Sequence, residues 1–538
     1  MTPSPDVSAG APDAPVAAPT TPGRLLLRVL TAPAQRRSVA LGTAGLMGHQ
    51  VAEMLVPVVI GATIDRAVLP GDPRALAGWL TALGVLFVAL ALSWRLGLTR
   101  TTRAHLEAEH DLRQRLVGRV LDDRGGPART PGATLSLATS DATRVAGTTW
   151  LLASQLAAVA AIVTAAVALV AVSAPLAAAL AVGVPLAVWG MHRLAAPLEQ
   201  RSEREQARAA DTAGLAADLV AGLRVLQGLG ASATAARRYR RTSRSLLDAR
   251  VGAARATAWY SAGSAAASGL LVAVVALAAG WLALRGTLTV GQLVTVVGVV
   301  QTVQTPVTET GYLVVSLAQR RASAARVCAA LAAPPVLPVP AAVPPADPRT
   351  LTVRVGGAEV AVGRGELVGL HADVPGARDL VEALGARVPA PRGTVLLDGV
   401  CAADLGPGLR AVVHAPPRDA HLFAGPLGRV VAGDAAPDPA LLRAAVLDDV
   451  LALLPDGAAS PVRAGGSDLS GGQRDRVRLA RALHRDEPFL VLHEPATAVD
   501  SVTEVALAAG LRARPEKGVL LVTDSPALLA ACDRVVTA

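Results

Sequence analysis

Six apolar segments constrain the fold of this chain more than any other feature of its sequence. Each is long enough to cross the ~30 Å hydrocarbon core of a bilayer as a helix. They lie at about 38–61, 76–98, 148–171, 174–195, 259–284 and 291–317. A hydrophobic content of 52% agrees with a membrane protein. We therefore expect an all-α transmembrane domain of six helices over residues 24–330.

Arginine is distributed unevenly among the connections between these segments. The first, third and fifth connections are short and nearly free of arginine, whereas the second and fourth are long and basic. Because basic loops stay in the cytosol, we predict that both termini are cytoplasmic and that the chain spans the cell (plasma) membrane. Both basic connections keep helical periodicity, which predicts long cytosolic helical extensions. The net charge of +9 is spread along the chain and indicates membrane orientation rather than nucleic-acid binding.

The rest of the chain divides into three parts. Residues 1–23 lack the basic start and apolar run of a signal peptide, so we expect a disordered cytosolic leader. Residues 331–350 form a Pro-rich linker. From 351 to 538, short β-like runs alternate with helices, which predicts an α/β nucleotide-binding domain. The three widely spaced cysteines fit neither a metal site nor a disulfide framework and indicate a reducing cytosol.

A small-residue turn in the second domain is the first candidate binding site. Ser470, Gly471 and Gly472 precede a segment with helical spacing. Such a turn places backbone N–H groups and a hydroxyl at the positive end of a helix dipole, which suits a terminal phosphate. These three residues alone fit a surface turn equally well. The apolar run that follows, ending at Glu494, and the turn that contains Asp500 favour the anion site.

This succession resembles the signature, Walker B and D-loop motifs of ATP-binding cassette (ABC) transporters. The six spans with two long hairpins resemble the type IV exporter fold, supported by the motifs Leu137–Asp141 and Val220–Arg224. The resemblance implies an ATP-driven exporter whose hairpin tips dock on the nucleotide-binding domains. It also implies an α/β domain of the P-loop type. In this family each ATP lies between the phosphate loop of one subunit and the signature turn of the other.

The phosphate loop departs from the family pattern G-x-x-x-x-G-K-[ST]. Alanines replace its two glycines, arginine its lysine and aspartate its Mg²⁺-binding hydroxyl residue, at Ala372, Ala377, Arg378 and Asp379. A Cβ opposes the backbone geometry of an anion nest, and a carboxylate repels phosphates. We therefore expect that the degenerate loop, with Gly376, Arg378 and Asp379, holds ATP poorly.

Three other motif positions are also altered. His493 stands at the Walker B aspartate, Arg418 at the Q-loop glutamine and Asp524 at the switch histidine. Imidazole is a poor ligand for Mg²⁺, and a carboxylate cannot do the proton chemistry of histidine. No aromatic residue between Tyr312 and Phe423 is available to stack on adenine. The isolated chain is therefore not expected to be an active ATPase, and we assign no metal to its own site.

The signature positions, in contrast, keep the residue types of the family at Ser470, Gly471, Gly472, Gln473 and Asp500. The resemblance therefore implies the non-catalytic half of a heterodimer. ATP and Mg²⁺ would be held mainly by a homologous, catalytically intact half-transporter. Glu494 occupies the position of the catalytic base, but it would be largely idle in this chain.

Two alternatives to this interpretation remain open. The first is an ATPase-inactive homodimer that acts as a membrane receptor or scaffold. The second is an enzyme with altered nucleotide chemistry that uses His493, Glu494 and Asp524. An intact cassette protein in the neighbouring reading frame would favour the heterodimer over the inactive homodimer.

Polar residues within the predicted spans mark a candidate substrate pathway, because polar groups are costly in lipid. His49 and Glu53 share a face of the first span. In the sixth span a polar stripe surrounds Pro306, which predicts a kink, and comprises Gln301, Gln304, Thr308 and Glu309. Helix contacts or a dimer seam explain these residues equally well. The substrate would be a small molecule or peptide, and the other expected partner is membrane lipid.

Overall fold

The computed structural model describes residues 21–126, 131–311, 313–512 and 516–537. The chain forms two compact units, the first comprising Met1–Val117 and Arg129–Ala332 and the second Gly118–Ala128 and Ala333–Ala538. The second break lies at the start of the predicted linker. No pattern in the sequence indicated that a short segment after residue 117 belongs to the second unit. Residues 1–20 of the predicted leader lie outside the described part.

The first unit is helical, as predicted. Its described helices are α1 (Pro22–Thr31), α2 (Arg36–Thr63), α3 (Pro73–Val120), α4 (Pro131–Ser136), α5 (Ala142–Ala146), α6 (Thr148–Val172), α7 (Ala174–Ala221), α8 (Leu223–Gly228), α9 (Ser232–Leu284), α10 (Val290–Gly311) and α11 (Leu313–Ala332). Helices α3, α7 and α9 are 48, 48 and 53 residues long, so each continues from a predicted span into a long extension. The predicted sixth span is divided between α10 and α11.

Among the described residues, four helical stretches have both the length and the hydropathy of a membrane span. They are Pro73–Val120, Gly132–Val172, Ser232–Leu284 and Val290–Thr310. Helices α2 and α7 coincide with two further predicted spans but are not among these four. The count of six crossings therefore stays a prediction.

Small residues let the helices of the first unit approach closely. A Cβ on Gly61 of α2 would overlap the carbonyl oxygen of Gly291 on α10. A Cβ on Gly45 of α2 would lie 2.5 Å from the backbone nitrogen of Gly97 on α3. Backbones packed this closely gain dispersion contacts that larger side chains would prevent. Helix α2 is thereby fixed against both neighbours.

Helix α1 begins at Pro22, so the predicted leader overlaps the first helix by two residues. The hydroxyl of Thr21 caps the helix by accepting a hydrogen bond from the N–H of Arg24. The buried face of α1 carries Leu25, Leu26 and Val29. These side chains join a core formed with α3, α5 and α11.

The motif before the third predicted span forms a single π-helical turn, Leu137–Asp141, between α4 and α5. The carboxylate of Asp141 is buried and accepts hydrogen bonds from the guanidinium of Arg326 on α11, one of them 3.1 Å long. A buried carboxylate needs such a partner to offset its lost hydration. The motif therefore anchors α5 to α11.

The second unit combines strands and short helices. Its strands are β1 (Thr350–Val355), β2 (Ala358–Gly363), β3 (Leu367–Leu370), β4 (Val395–Leu397), β5 (Val400–Cys401), β6 (Val413–His414), β7 (Gly425–Pro426), β8 (Pro461–Val462), β9 (Phe489–His493), β10 (Gly518–Val522) and β11 (Arg534–Val536). Its helices are α12 (Ala377–Leu384), α13 (Ala402–Leu405), α14 (Leu427–Ala432), α15 (Pro439–Ala444), α16 (Asp448–Leu453), α17 (Gly471–Leu483), α18 (Ser501–Arg512) and α19 (Pro526–Ala530).

A parallel sheet with strand order β11-β3-β10-β9-β6 forms the centre of this unit in its described residues. An antiparallel sheet of order β2-β1-β4-β5 and the pair β7-β8 accompany it. Along β9, Phe489 and Val491 belong to one core, and Leu490 and Leu492 to another. The central sheet is therefore buried on both faces, as expected for parallel strands between helices.

The predicted linker is partly fixed rather than free. The backbone N–H of Leu337 donates to the carbonyl oxygen of Arg124 over 2.7 Å, and the Leu337 side chain is buried. The guanidinium of Arg119 donates to the carbonyl oxygen of Ala333 over 2.7 Å. Arg410 reaches the carbonyl oxygen of Asp123 over 2.8 Å. These contacts explain why Gly118–Ala128 forms part of the second unit.

Candidate functional site

The carboxyl edge of the parallel sheet brings together the altered motif positions. Strand β10 lies between β3 and β9, with Val522 opposite both Leu370 and His493. His371 follows β3, His493 ends β9 and Asp524 comes two residues after β10. Because parallel strands end at the same edge, residues distant in sequence meet there, where α/β sheets commonly bind ligands.

Three backbone N–H groups of the phosphate loop have partners within the chain. The N–H of Ala372 donates to Oδ1 of Asp524 over 2.9 Å. The N–H of Val374 donates to the carbonyl oxygen of His371 over 3.3 Å, and that of Ala377 to the carbonyl oxygen of Val374 over 3.0 Å. An anion nest requires such donors to point at the ligand. In this loop the three N–H groups donate to acceptors of the chain itself instead.

The start of α12 shows what remains of the loop. Gly376 precedes the helix with φ of +87°, a left-handed conformation that glycine adopts without strain. Ala377 is buried in the core, whereas Arg378 and Asp379 are exposed. The carboxylate of Asp379 lies in the first helical turn, where the helix dipole favours an anion. The protein therefore supplies its own negative charge at this position.

Asp524 and Glu494 are also linked to each other. The backbone N–H of Asp524 donates to Oε1 of Glu494 over 3.0 Å. The backbone N–H of Glu494 donates to the carbonyl oxygen of Val522 over 2.9 Å. Glu494 has φ of +49°, which is uncommon for a residue with a Cβ, so these bonds hold it in a strained conformation. The residue at the position of the catalytic base is thus tied to the switch position of its own chain.

His493, Arg418 and Glu494 are among the residues that line a small cavity of about 40 Å³. Burial lowers the pKa of His493 below its ordinary value, the nearby Glu494 opposes this, and the cation of Arg418 adds to the lowering. The guanidinium of Arg418 donates to the hydroxyl of Thr497 over 2.9 Å. Thr497 in turn donates to the carbonyl oxygen of Glu494 over 3.0 Å. The Q-loop position is therefore attached to the Walker B segment.

These residues do not fit a nucleotide with Mg²⁺. Three of the loop donors are occupied, a carboxylate stands at the hydroxyl position, and a partly buried imidazole replaces the oxygen ligand that Mg²⁺ prefers. We therefore derive no catalytic step at this edge of the sheet.

The signature turn, unlike the phosphate loop, is preformed and exposed. Ser470 and Gln473 form a reciprocal capping box at the start of α17: Oγ of Ser470 accepts from the N–H of Gln473, and Oε1 of Gln473 accepts from the N–H of Ser470. Ser470 and Gly471 are exposed. The turn is therefore rigid and accessible to a ligand.

The segment at Ala498, next to Asp500, packs against the signature turn. A Cβ on Gly472 would lie only 2.7 Å from the carbonyl oxygen of Ala498. The carboxylate of Asp500 caps α18 by accepting hydrogen bonds from Val502 and Thr503. These bonds, first of all those from Thr503, lower the pKa of Asp500, so it is ionised at neutral pH. The signature turn therefore packs closely against Ala498, two residues before Asp500.

A cavity of about 480 Å³ in the first unit collects part of the predicted substrate pathway. His49, Glu53 and Glu309 line it. The ring of His49 lies 4.9 Å from that of Trp94, and its Nδ1 lies 3.1 Å from the carbonyl oxygen of Leu90. The lining of the cavity therefore combines polar, charged and aromatic side chains.

The cavity differs from the predicted pathway in its membership. Gln301, Gln304 and Thr308 are not among its lining residues, and the hydroxyl of Thr308 bonds back to the carbonyl oxygen of Gln304 on its own helix. Sequence reasoning missed other lining residues, among them Trp94, Trp150, Gln155 and Arg320. Aromatic residues form only 2% of the chain, so the tryptophans were the signal that could have found two of them.

Comparisons with known proteins place these observations in context. Residues 39–307 match the model of a family described as the ABC transporter transmembrane region. A mycobactin import ATP-binding/permease protein of Mycolicibacterium smegmatis is 31% identical over 519 residues, covering 88% of this chain and 84% of the relative. A multidrug efflux ATP-binding/permease protein of Mycobacterium bovis is 28% identical over 532 residues, covering 93% of this chain.

This chain spans only 44% of the length of that efflux protein. Among solved structures, a bacterial Atm1-family ABC exporter with ATP bound is similar in fold, with a TM-score of 0.74 and 20% sequence identity. The match covers 94% of each chain. It confirms the predicted fold class, a helical membrane domain joined to an α/β domain.

Proposed function

Because this chain belongs to the ABC transporter family, we propose that it is one half of an ATP-driven heterodimeric exporter and does not itself hydrolyse ATP. The partner is a homologous half-transporter with an intact phosphate loop. In this arrangement the chain supplies half of the translocation pathway and the signature turn that completes the ATP site of the partner. Its second unit lies in the cytosol.

The closed phosphate loop carries this proposal. A competent loop offers free N–H donors to phosphate oxygens. Here the N–H groups of Ala372, Val374 and Ala377 are bonded to Asp524, His371 and Val374, respectively. Opening the loop for a nucleotide would break these bonds and bring phosphates against the carboxylates of Asp524 and Asp379. Poor nucleotide binding by this site follows directly.

The signature turn supports a role at the other ATP site. Ser470 and Gly471 are exposed at the positive end of α17, and the capping box holds the turn in shape without a ligand. This preorganisation suits recognition of a terminal phosphate held by another subunit. An inactive homodimer would have two closed phosphate loops and no ATP for the two signature turns to contact. The ATP and Mg²⁺ are therefore assigned mainly to the partner.

The cavity in the first unit is the proposed half of the substrate pathway. Its lining suits an amphipathic small molecule or peptide, because it combines the acidic Glu53 and Glu309 with the basic Arg320 and the aromatic Trp94 and Trp150. The printed names of the relatives include both efflux and import. Export is proposed from the likeness of the fold to a solved exporter.

The test is to purify this chain alone and together with an intact cassette protein from a neighbouring reading frame. We expect negligible Mg²⁺-dependent ATP hydrolysis by the chain alone and robust hydrolysis by the pair. Glu494→Gln should leave the rate of the pair largely unchanged. Robust hydrolysis by the isolated chain that Glu494→Gln abolishes would contradict the proposal, as would a stable homodimer that excludes the partner.

A further inference from the structure

We propose that His371, Asp373 and Asp524 form a binding site for one divalent transition-metal ion, such as Zn²⁺, at the carboxyl edge of the parallel sheet. The proposed metal site lies at the altered phosphate loop, where we expect a nucleotide to bind poorly. It depends only on residues of this chain. Metal binding can therefore be tested without the partner and without ATP hydrolysis.

The ligand atoms of these three side chains all lie within 4.8 Å of one another. Nδ1 of His371 lies 3.6 Å from Oδ1 of Asp524. At metal–ligand distances of about 2.1 Å, two donors on one ion are separated by about 3 to 4 Å. Small rotations of partly exposed side chains therefore bring the three donors around one ion.

The backbone fixes the positions from which two of the ligands extend. His371 follows Leu370 at the end of β3, and Asp524 follows Thr523 after the neighbouring strand β10. The N–H of Thr523 donates to the carbonyl oxygen of Leu370 over 2.9 Å, which joins the two segments directly. The bond from the N–H of Ala372 orients the carboxylate of Asp524. Such outer hydrogen bonds orient metal ligands.

The donor set indicates the kind of ion. One imidazole nitrogen and two carboxylate oxygens suit Zn²⁺, Mn²⁺, Fe²⁺ or Co²⁺, whereas Mg²⁺ prefers oxygen ligands alone. The two carboxylates balance the charge of a divalent cation. A nucleotide would instead add negative charge to the same place. The imidazole distinguishes this cluster from ordinary pairs of surface acids.

The test uses the full chain, purified in detergent with a tag that contains no histidine and stripped of metal by a chelator. Zn²⁺ binding is measured by calorimetry, and Co²⁺ binding by its visible absorption bands. We expect one equivalent of metal to bind in the absence of nucleotide. His371→Ala and Asp524→Asn should each weaken this binding at least about tenfold, as loss of a ligand requires.

His421→Ala is the matched control, because His421 lies in the same unit but outside the cluster. This variant should bind metal as the wild type does. The side chains of Asp373 and Asp524 are exposed. Asp524→Asn keeps a hydrogen-bond acceptor for the N–H of Ala372. The Asp524→Asn variant should therefore keep its fold even if His371→Ala does not. Absent binding, binding unchanged by both ligand substitutions, or binding that requires ATP would overturn the proposal.

Discussion

Oδ1 of Asp524 accepts a hydrogen bond from the backbone N–H of Ala372 over 2.9 Å. The side chain at the switch position therefore takes up a donor of the phosphate loop in the same chain. The backbone N–H of the same aspartate is bonded to Glu494. These two bonds connect three motifs that act on a nucleotide in active family members. In this chain the three motifs are hydrogen-bonded to one another instead.

Restoring the loop lysine alone should not create a nucleotide site. In Arg378→Lys the donors of Ala372, Val374 and Ala377 remain bonded within the chain, and Asp379 still repels phosphate. We expect no gain in affinity when the purified chain is titrated with a fluorescent ATP analogue. Tight binding by this single variant would show that the glycine and aspartate substitutions matter less than the lost lysine.

The two signature glycines should differ in their tolerance of alanine. A Cβ at Gly472 would lie 2.7 Å from the carbonyl oxygen of Ala498, whereas a Cβ at Gly471 would lie 3.3 Å from the Cβ of Ala498. We expect Gly472→Ala to destabilise the second unit by roughly 1–3 kcal/mol, as overpacking does. Gly471→Ala is the matched control with little loss of stability.

Thermal unfolding of both glycine variants, followed by calorimetry, checks this difference. The midpoint of Gly472→Ala should fall well below that of Gly471→Ala. Equal midpoints would mean that the segment at Ala498 moves freely and does not support the signature turn.

The stability of the second unit should depend on pH through His414. Burial, with the nearby cations of Arg485 and Lys517, lowers the pKa of His414 to about 4, although Glu487 opposes the shift. The unfolded chain, with a histidine pKa of about 6.5, therefore binds more protons between pH 6.5 and 4. The free energy of unfolding should be highest above pH 6.5 and fall by about 2 kcal/mol toward pH 4. This decrease is smaller than the full pKa shift would give, because solvent screens the partly exposed ring.

Calorimetric midpoints measured between pH 7.5 and 4 test this dependence. His414→Gln should show a shallower decline than the wild type, because the substituted side chain does not titrate. His484→Gln, at another histidine of the second unit, is the control. Parallel declines for wild type and His414→Gln would contradict the assignment.

Much of the fold followed from local patterns in the sequence. The apolar segments and basic connections predicted long helices, and α3, α7 and α9 have that form. The strand-loop-helix frame around the phosphate loop was also predicted, because β3 and α12 carry short-range signals. The six crossings themselves stay a prediction.

Long-range contacts could not be predicted in the same way. The bond between Ala372 and Asp524 joins residues 152 positions apart, and it depends on the register of β3 with β10. His371 had no motif of its own, so its approach to Asp524 became visible only in the structure. Likewise, no local pattern shows that Gly118–Ala128 packs in the second unit.

The substrate pathway illustrates the same limit. Polar residues in apolar helices were easy to find, but helix rotation decides which of them share a cavity. Glu53 and Glu309 line one cavity, whereas Gln301 does not. The assignment of these residues to transport stays a prediction, as do the roles of the signature residues.

The steady-state ATPase rate of the reconstituted heterodimer tests the central claim most directly, measured for wild type, Gly471→Asp and Glu494→Gln. Gly471 is exposed at the first position of α17, so Gly471→Asp places a carboxylate where the partner-bound phosphate would approach. Repulsion of a few kcal/mol in a partly dry site predicts a loss on the order of 10²-fold. Glu494→Gln should cost far less, because Glu494 lies at the closed site. A tolerated Gly471→Asp together with an inactive Glu494→Gln would contradict the assignment of hydrolysis to the partner.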